Sequence, residues 1–259
     1  MDKAIRDLIA GAKLYPVWLF QAYHELSAKF KRTALGSLWI AGNFLFVSIA
    51  ISLVWGELFK VDLKEMLPHA MLGNLCAGLS LWIVGEAPEL FLNFHNIIKN
   101  HAYPFTYFAF EKIAKNMMQF AHNLVIFYIF MVFNGTLAIP NPVFALGLAI
   151  NLISLFTWGM VIGMISARYR DLRFLLPSLT FLLYFLTPIY WNVDRLSPER
   201  RWIADLNPIN GMVSVMREPL MGHFPSNSNW SGALAMCLSG VAIWLIVFPL
   251  FRRRIPFWV

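Results

Sequence analysis

Long apolar runs separated by short charged segments dominate the chain. Six stretches are apolar over about 20 residues, the length a helix needs to cross roughly 30 Å of hydrocarbon. They fall at about 35–59, 67–90, 117–137, 143–166, 174–191 and 231–251. The strict alternation of apolar and polar positions that a membrane barrel needs is absent from these stretches, which leaves helices as the spanning element. The expected fold is an all-α integral membrane protein with six transmembrane helices: a segment over 1–34, then a transmembrane domain over 35–259.

Two further patterns stand outside the spans. Before the first, Leu19, Tyr23, Leu26 and Phe30 recur at helical spacing, with Gln21, Glu25, Lys29 and Lys31 on the other side and Pro16 suited to a helix start. This reads as an amphipathic helix that lies at a membrane surface or packs on the protein's own face. Between the fifth and sixth spans, the segment 192–230 carries an apolar patch at 209–215, too short to span, bracketed by Pro208 and Pro219. Short interfacial or re-entrant helices are expected there rather than a plain loop with one amphipathic turn, because irregular backbone at membrane depth is tolerated where it lines a cavity.

Composition agrees with the pattern. Hydrophobic residues make up 59% of the 259 and charged residues 14%, against about 45–50% and about 25% in soluble domains. Disordered, fibrous and ordinary cytosolic classes are thereby excluded. The net charge of +7 reflects orientation rather than nucleic-acid binding. Lys3, Arg6, Lys13, Lys29, Lys31 and Arg32 precede the first span, and Lys99, Lys112, Lys115, Arg168, Arg170, Arg173 and Arg252–Arg254 fall on the same side. Lys60, Lys64, Arg195, Arg200, Arg201 and Arg217 fall on the other. The excess places both termini in the cytoplasm, and the apolar run begins too late for a cleavable signal.

Candidate chemistry is sparse. No glycine is followed by lysine, so the chain has no P-loop, and energy for uphill transport would come from a partner. Glu57, Glu86, Glu89, His122 and Asn123 lie toward span ends and suggest no proton-coupled carrier. His95 and His101 do not have the i, i+4 spacing of helix-borne zinc ligands; a membrane transferase using them is the alternative enzyme reading. No metal site or nucleic-acid surface is expected. Cys76 and Cys237 sit in apolar runs as inert thiols. Gly159 and Gly163 form a small-residue face that lets helices approach. Trp55, Trp191, Trp230, Trp39 and Trp258 suit interfacial belts, whereas Trp82, Trp158 and Trp244 fall mid-span, where aromatic faces either pack or line a path for sugar rings.

Several segments, in order, resemble type 2 ABC exporter permeases. Lys29-Phe-Lys-Arg-Thr-Ala-Leu-Gly-Ser-Leu-Trp39 is similar to that family's approach to the first span, and Ala167-Arg-Tyr-Arg-Asp-Leu172 to its loop before the fifth. Ala121-His-Asn-Leu-Val125, Thr187-Pro-Ile-Tyr-Trp191, Leu206-Asn-Pro208 followed by Arg217, and Phe251-Arg-Arg-Arg-Ile-Pro-Phe-Trp258 complete the series, which resembles the O-antigen branch of polysaccharide permeases of the Wzm type. The resemblance implies a homodimer in the bacterial inner membrane, docked on two copies of a separate ATP-binding subunit. That subunit would hold ATP and Mg; this chain would hold no cofactor and no catalytic residue. The substrate implied is an undecaprenyl-linked glycan, with capsule, teichoic acid, drug or lipid export as same-fold alternatives. It further implies an interface helix at about 14–32 with Trp18, Tyr23, Leu26 and Phe30. A loop at about 94–105, with Phe94, His95, Lys99, Tyr103, Pro104 and Phe105, would couple to the ATPase. Channel-lining aromatics would be Trp82, Trp158, Tyr184 and Tyr190. Outer gate helices over about 195–222 would carry Trp202, Asn207, Pro208 and Arg217.

Overall fold

The computed structural model describes residues 2–259, and all described elements are helical or turn. Two short helices, α1 (Asp2–Lys13) and α2 (Tyr15–Ala28), precede the first long one, α3 (Leu38–Phe59). Lys60 ends α3 in the left-handed region, and the Asp62 side chain then caps α4 (Leu63–Ser80) by accepting from the Lys64 N–H at 2.8 Å. The single-turn α5 (Trp82–Gly85), two 3₁₀ turns and α6 (His95–Asn100) lead into α7 (Phe105–Asn134), which Gly135 terminates at φ 68°. Then come α8 (Val143–Arg168), α9 (Leu172–Leu186), the short α10 (Trp202–Asp205), α11 (Pro208–Leu220), α12 (Asn227–Phe251) and α13 (Ile255–Trp258).

Four described helices are long and apolar enough to cross a membrane: Leu38–Phe59, Phe105–Asn134, Val143–Arg168 and Asn227–Trp258. The second and fifth expected spans take other forms. The second is broken: α4 stops at Ser80, and the chain turns through α5 and the 3₁₀ turn Ala87–Glu89, where Pro88 removes a backbone donor. The fifth is the 15-residue α9, which stops because Thr187 precedes Pro188 and is driven to extended backbone (φ −91°, ψ 139°).

The broken stretch is held by the small-residue face of α8. A Cβ at Gly159 would lie 2.5 Å from the Trp82 ring, and one at Gly163 would lie 3.0 Å from Leu90 Cβ. The Gly-x-x-x-Gly pair therefore serves packing inside the chain. Gly159→Val is expected to displace Trp82 and cost about 1–3 kcal/mol through overpacking, read as a lower melting temperature in detergent. An unchanged melting temperature would remove this account of the pair.

The core lies among α4, α7, α8, α11 and α12, with Met71, Leu72, Phe127, Met160 and Phe248 fully enclosed. A buried polar link crosses it: Ser80 Oγ donates to Asn151 Oδ1 (3.0 Å), and Asn151 Nδ2 donates to Met212 O (2.9 Å) and Gly147 O (3.1 Å). Both chain ends meet at one end of the bundle. There Asp7 accepts from the Thr106 N–H (3.0 Å) and pairs with Arg252 (2.9 Å), which also donates to Lys3 O (2.7 Å). This is the terminal end of the molecule. The opposite, far end carries α11, and Asn141 N–H donates to Pro219 O there at 2.7 Å.

Candidate functional site

Three cavities follow one another between the two ends. The middle one, about 250 Å³, lies among α3, α4, α7 and α9. Five amides line it: Asn43, Asn74, Asn116, Gln119 and Asn123. On α7, Asn116, Gln119 and Asn123 stand at i, i+3 and i+7, which stacks them on one face. Asn123 is 7% exposed and its Oδ1 has no hydrogen-bond partner. Around the amides sit Phe44, Phe120 and the Tyr184 ring, with Glu86 as the charged group among the described lining residues.

Toward the terminal end, a cavity of about 530 Å³ shares Ile40, Asn43, Glu86 and Gln119 with the middle one and adds Glu25, Lys29, Trp39 and Lys115. Toward the far end, Tyr184 stacks with Tyr190 (centroids 6.2 Å, 16° between planes), and the Tyr190 hydroxyl reaches Asn74 Oδ1 at 3.5 Å. Tyr190 borders the third cavity, about 680 Å³, with His69, Trp191, Asp205, Asn210 and Arg217 also on its wall. A chain of polar groups, part buried and part exposed, thus runs along a molecule otherwise built of apolar helices. Such groups are costly in a membrane unless they line a hydrated route.

Two charged assemblies frame this route. At the terminal end, Glu25 of α2 accepts from Lys112 (2.6 Å) and Lys115 (3.0 Å) of α7, and Lys115 lies 3.7 Å from Glu86. Burial works to raise the Glu25 pKa, but the neighbouring Glu111 carboxyl and the hydrogen bonds from Lys112 and Lys115 outweigh it and hold Glu25 at about 2. Because that pKa is depressed, the clasp is complete above the ordinary carboxylate range and is lost only as pH falls toward about 2. Glu25→Gln is expected to raise hydrogen exchange in α2 by roughly tenfold, the loss of about 1.4 kcal/mol of charged hydrogen bonding. Exchange unchanged from the parent chain would show that the clasp does not dock α2.

At the far end, the Arg217 guanidinium is 4% exposed. It donates to Pro188 O, bonds the Glu218 carboxylate through Nε (3.2 Å) and Nη2 (3.1 Å), and lies 3.4 Å from His69 Nε2. One side chain therefore ties α11 to α4 and to the turn that ends α9.

The other residues singled out from sequence fall as follows. The interface helix expected at about 14–32 is α2, which ends at Ala28: Trp18 stacks on Phe110 (5.7 Å), Leu26 is half-buried and Tyr23 exposed, while Phe30, also half-buried, lies in the turn beyond the helix. The helix thus packs on the protein with one face and presents apolar side chains on another. In the loop at 94–105, Phe94 is buried on Phe108 (4.8 Å), with Lys112 over its ring, so it anchors the loop from inside. His95 and Lys99 are exposed, Tyr103 is 38% exposed, and Pro104 and Phe105 are half-buried. Of the four aromatics expected on the channel, Tyr184 and Tyr190 border the polar route. Trp82 and Trp158 are placed differently. Trp82 is 3% exposed and wedged on Gly159, and it borders a cavity of about 250 Å³ that shares Glu25, Glu86 and Lys115 with the terminal-end one. Trp158 is spent on α8–α12 packing, its Nε1 donating to Met236 O at 2.9 Å. At the far end, Trp202 is 60% exposed and Pro208 opens α11, while Asn207 caps α11 and donates to Thr187 Oγ1 (2.9 Å). The amides of the middle cavity other than Asn123 went unnoticed in the sequence, although the i, i+3, i+7 spacing within an apolar run was the signal.

Residues 22–221 match the ABC-2 type transporter family. This chain is a member of that family. The match runs from within α2 to the end of α11, so it includes the elements that line the middle and terminal-end cavities of this ABC-2 chain, while the far-end cavity also takes Ser228 and Asn229 from α12 beyond it. The chain is also similar to two O-antigen export system permease proteins, RfbA, of Klebsiella pneumoniae. One is 20% identical over 238 residues, 88% of each chain. The other is 24% identical over 207 residues, 76% of this chain and 77% of the relative. A third, the O-antigen export system permease protein RfbA of Myxococcus xanthus, is 24% identical over 200 residues, 74% of each.

Proposed function

We propose that this chain is the transmembrane permease subunit of an ATP-driven exporter of O-antigen-type polysaccharide in the bacterial inner membrane. The observation that carries the reading is the polar route through the amide-lined middle cavity, in a chain similar over most of its length to O-antigen export permeases. The substrate is an undecaprenyl-linked glycan. The chain works as a homodimer with two copies of a separate ATP-binding subunit, which hold ATP and Mg.

Physical arguments support the arrangement. The terminal end carries the basic excess, which favours the cytoplasmic side. With α4–α5 and α9 added to the four long helices, the chain makes six crossings. No residue of α9 is buried, and Phe174, Phe181 and Phe185 are exposed on it, so lipid or a second copy must cover this helix. The exposed part of the 94–105 loop, with His95, Lys99 and Tyr103, offers the ATPase a knob held rigid by Phe94. The groups on the Arg217 side form the outer gate, with Trp202, Asn207 and Pro208 on its short helices.

The test is a gentle pull-down of the tagged chain from native membranes with mass spectrometry of co-purifying proteins. A stoichiometric P-loop ATPase is expected. Its absence under conditions that preserve other complexes would overturn the exporter reading.

A further inference from the structure

We infer that the middle cavity is a sugar-binding subsite that accepts uncharged residues of the moving glycan and turns away anionic ones. The inference rests on the polysaccharide reading above and adds the substrate class.

A side-chain amide offers a donor and an acceptor together, which matches a sugar hydroxyl, itself both. Here five amides converge on one small space. Their capacity is mostly unspent. Asn43 and Gln119 make no side-chain hydrogen bond among the described residues, and Asn116 uses its amide nitrogen on Lys112 O (2.9 Å) and keeps its oxygen. The buried Asn123 Oδ1 has no partner. A buried acceptor left unmatched is costly, and a ligand hydroxyl would satisfy it once the Asn123 amide turns toward the cavity. The Tyr184 ring, with Phe44 and Phe120, supplies the apolar surface against which a sugar's C–H face packs.

The charges on the route point to uncharged sugars. No Lys or Arg lines the middle cavity among the described residues; Glu86 is its charged group. The far cavity carries Glu65, Asp194, Asp205 and Glu218 against Arg201 and Arg217. Arg217 is already spent on Pro188 O and Glu218, and Arg201 lies 4.0 Å from Asp194. In the middle cavity a carboxylate or phosphate on the glycan would meet Glu86 and gain no counter-charge, unlike in the terminal-end cavity, where Lys29 and Lys115 stand beside Glu25 and Glu86. A hydroxyl-only chain meets partners at each step.

The experiment measures binding to the full chain reconstituted in lipid nanodiscs, by saturation-transfer NMR with a titration for affinity. The probes are uncharged oligosaccharides of mannose, galactose and glucose, and an oligogalacturonate of equal length. At least one uncharged probe should bind, and the oligogalacturonate should not. Gln119→Met and Asn43→Leu, both at exposed positions that tolerate an apolar side chain, should each weaken that binding by up to about tenfold, with the melting temperature unchanged. Binding of oligogalacturonate as tight as the uncharged probe, or an affinity unmoved by the double variant, would overturn the inference and leave the polysaccharide reading in place. Binding of none of these sugars, by a chain that still co-purifies with an ATPase, would overturn the polysaccharide reading itself.

Discussion

Arg217→Met should loosen the far end and cost about 3–5 kcal/mol, the range for removing one partner of a buried charge pair. The guanidinium is enclosed and makes bonds that no single smaller group reproduces: to Pro188 O, to Glu218 and toward His69. Methionine fills a similar volume but leaves Pro188 O without its donor and the Glu218 carboxylate with only a 3.7 Å approach from His223. Because the Glu218 side chain is 24% exposed toward the cavity, it can turn to water, which favours the lower part of the range. Hydrogen exchange should rise in the 186–192 turn and in α11 and stay unchanged in α1 and α2 at the other end. Arg217→Lys should recover only part of the loss, since an ammonium lacks the planar fork. A change in stability under about 0.5 kcal/mol, the size of an ordinary surface substitution, would show that Arg217 does not hold the far end.

Tyr103→Asp should stop export while leaving the fold intact. Tyr103 is exposed on the loop that Phe94 anchors, and its ring meets the edge of the core at Tyr107 (5.0 Å) without being buried itself. An aromatic at the centre of a docking surface carries 2 kcal/mol or more of binding in typical interfaces. The expected loss in glycan export is therefore at least about tenfold. Phe105→Asp should add to the effect, but Phe105 touches Phe91 (6.2 Å), so its variant also strains the loop and is the weaker test. Export at the normal rate with both changed would place the coupling surface elsewhere.

These two sites differ in how far the sequence exposed them. The helices α3, α7, α8 and α12 were legible because each is a continuous apolar run of spanning length. The break after Ser80 and the early stop of α9 were harder, because both fall inside runs that hydropathy alone treats as unbroken; Pro188 accounts for the second, whereas Pro88 lies beyond α5 and does not end α4. Depth along a helix does not tell which way a side chain faces. Mid-span position makes Trp82 and Trp158 channel candidates, and it does not disclose their packing on Gly159 and their bond to Met236 O, respectively. The Glu25 clasp joins residues 87 and 90 positions apart, and no local pattern announces such a pairing. Arg217 drew notice through its segment, but its bond to Pro188 O became visible only once α11 had been placed against the end of α9. The amide face of α7 was the most legible feature left unread.

The central claim is that the glycan passes the amide-lined cavity. A photo-crosslinking amino acid at Gln119, introduced in cells that make and export the glycan, tests it most directly, with the same group at the exposed Phe133, away from the three cavities, as the reference. The account predicts a carbohydrate-reactive ladder attached to the chain from position 119 and none from position 133. Export that continues while position 119 yields no carbohydrate adduct would contradict it.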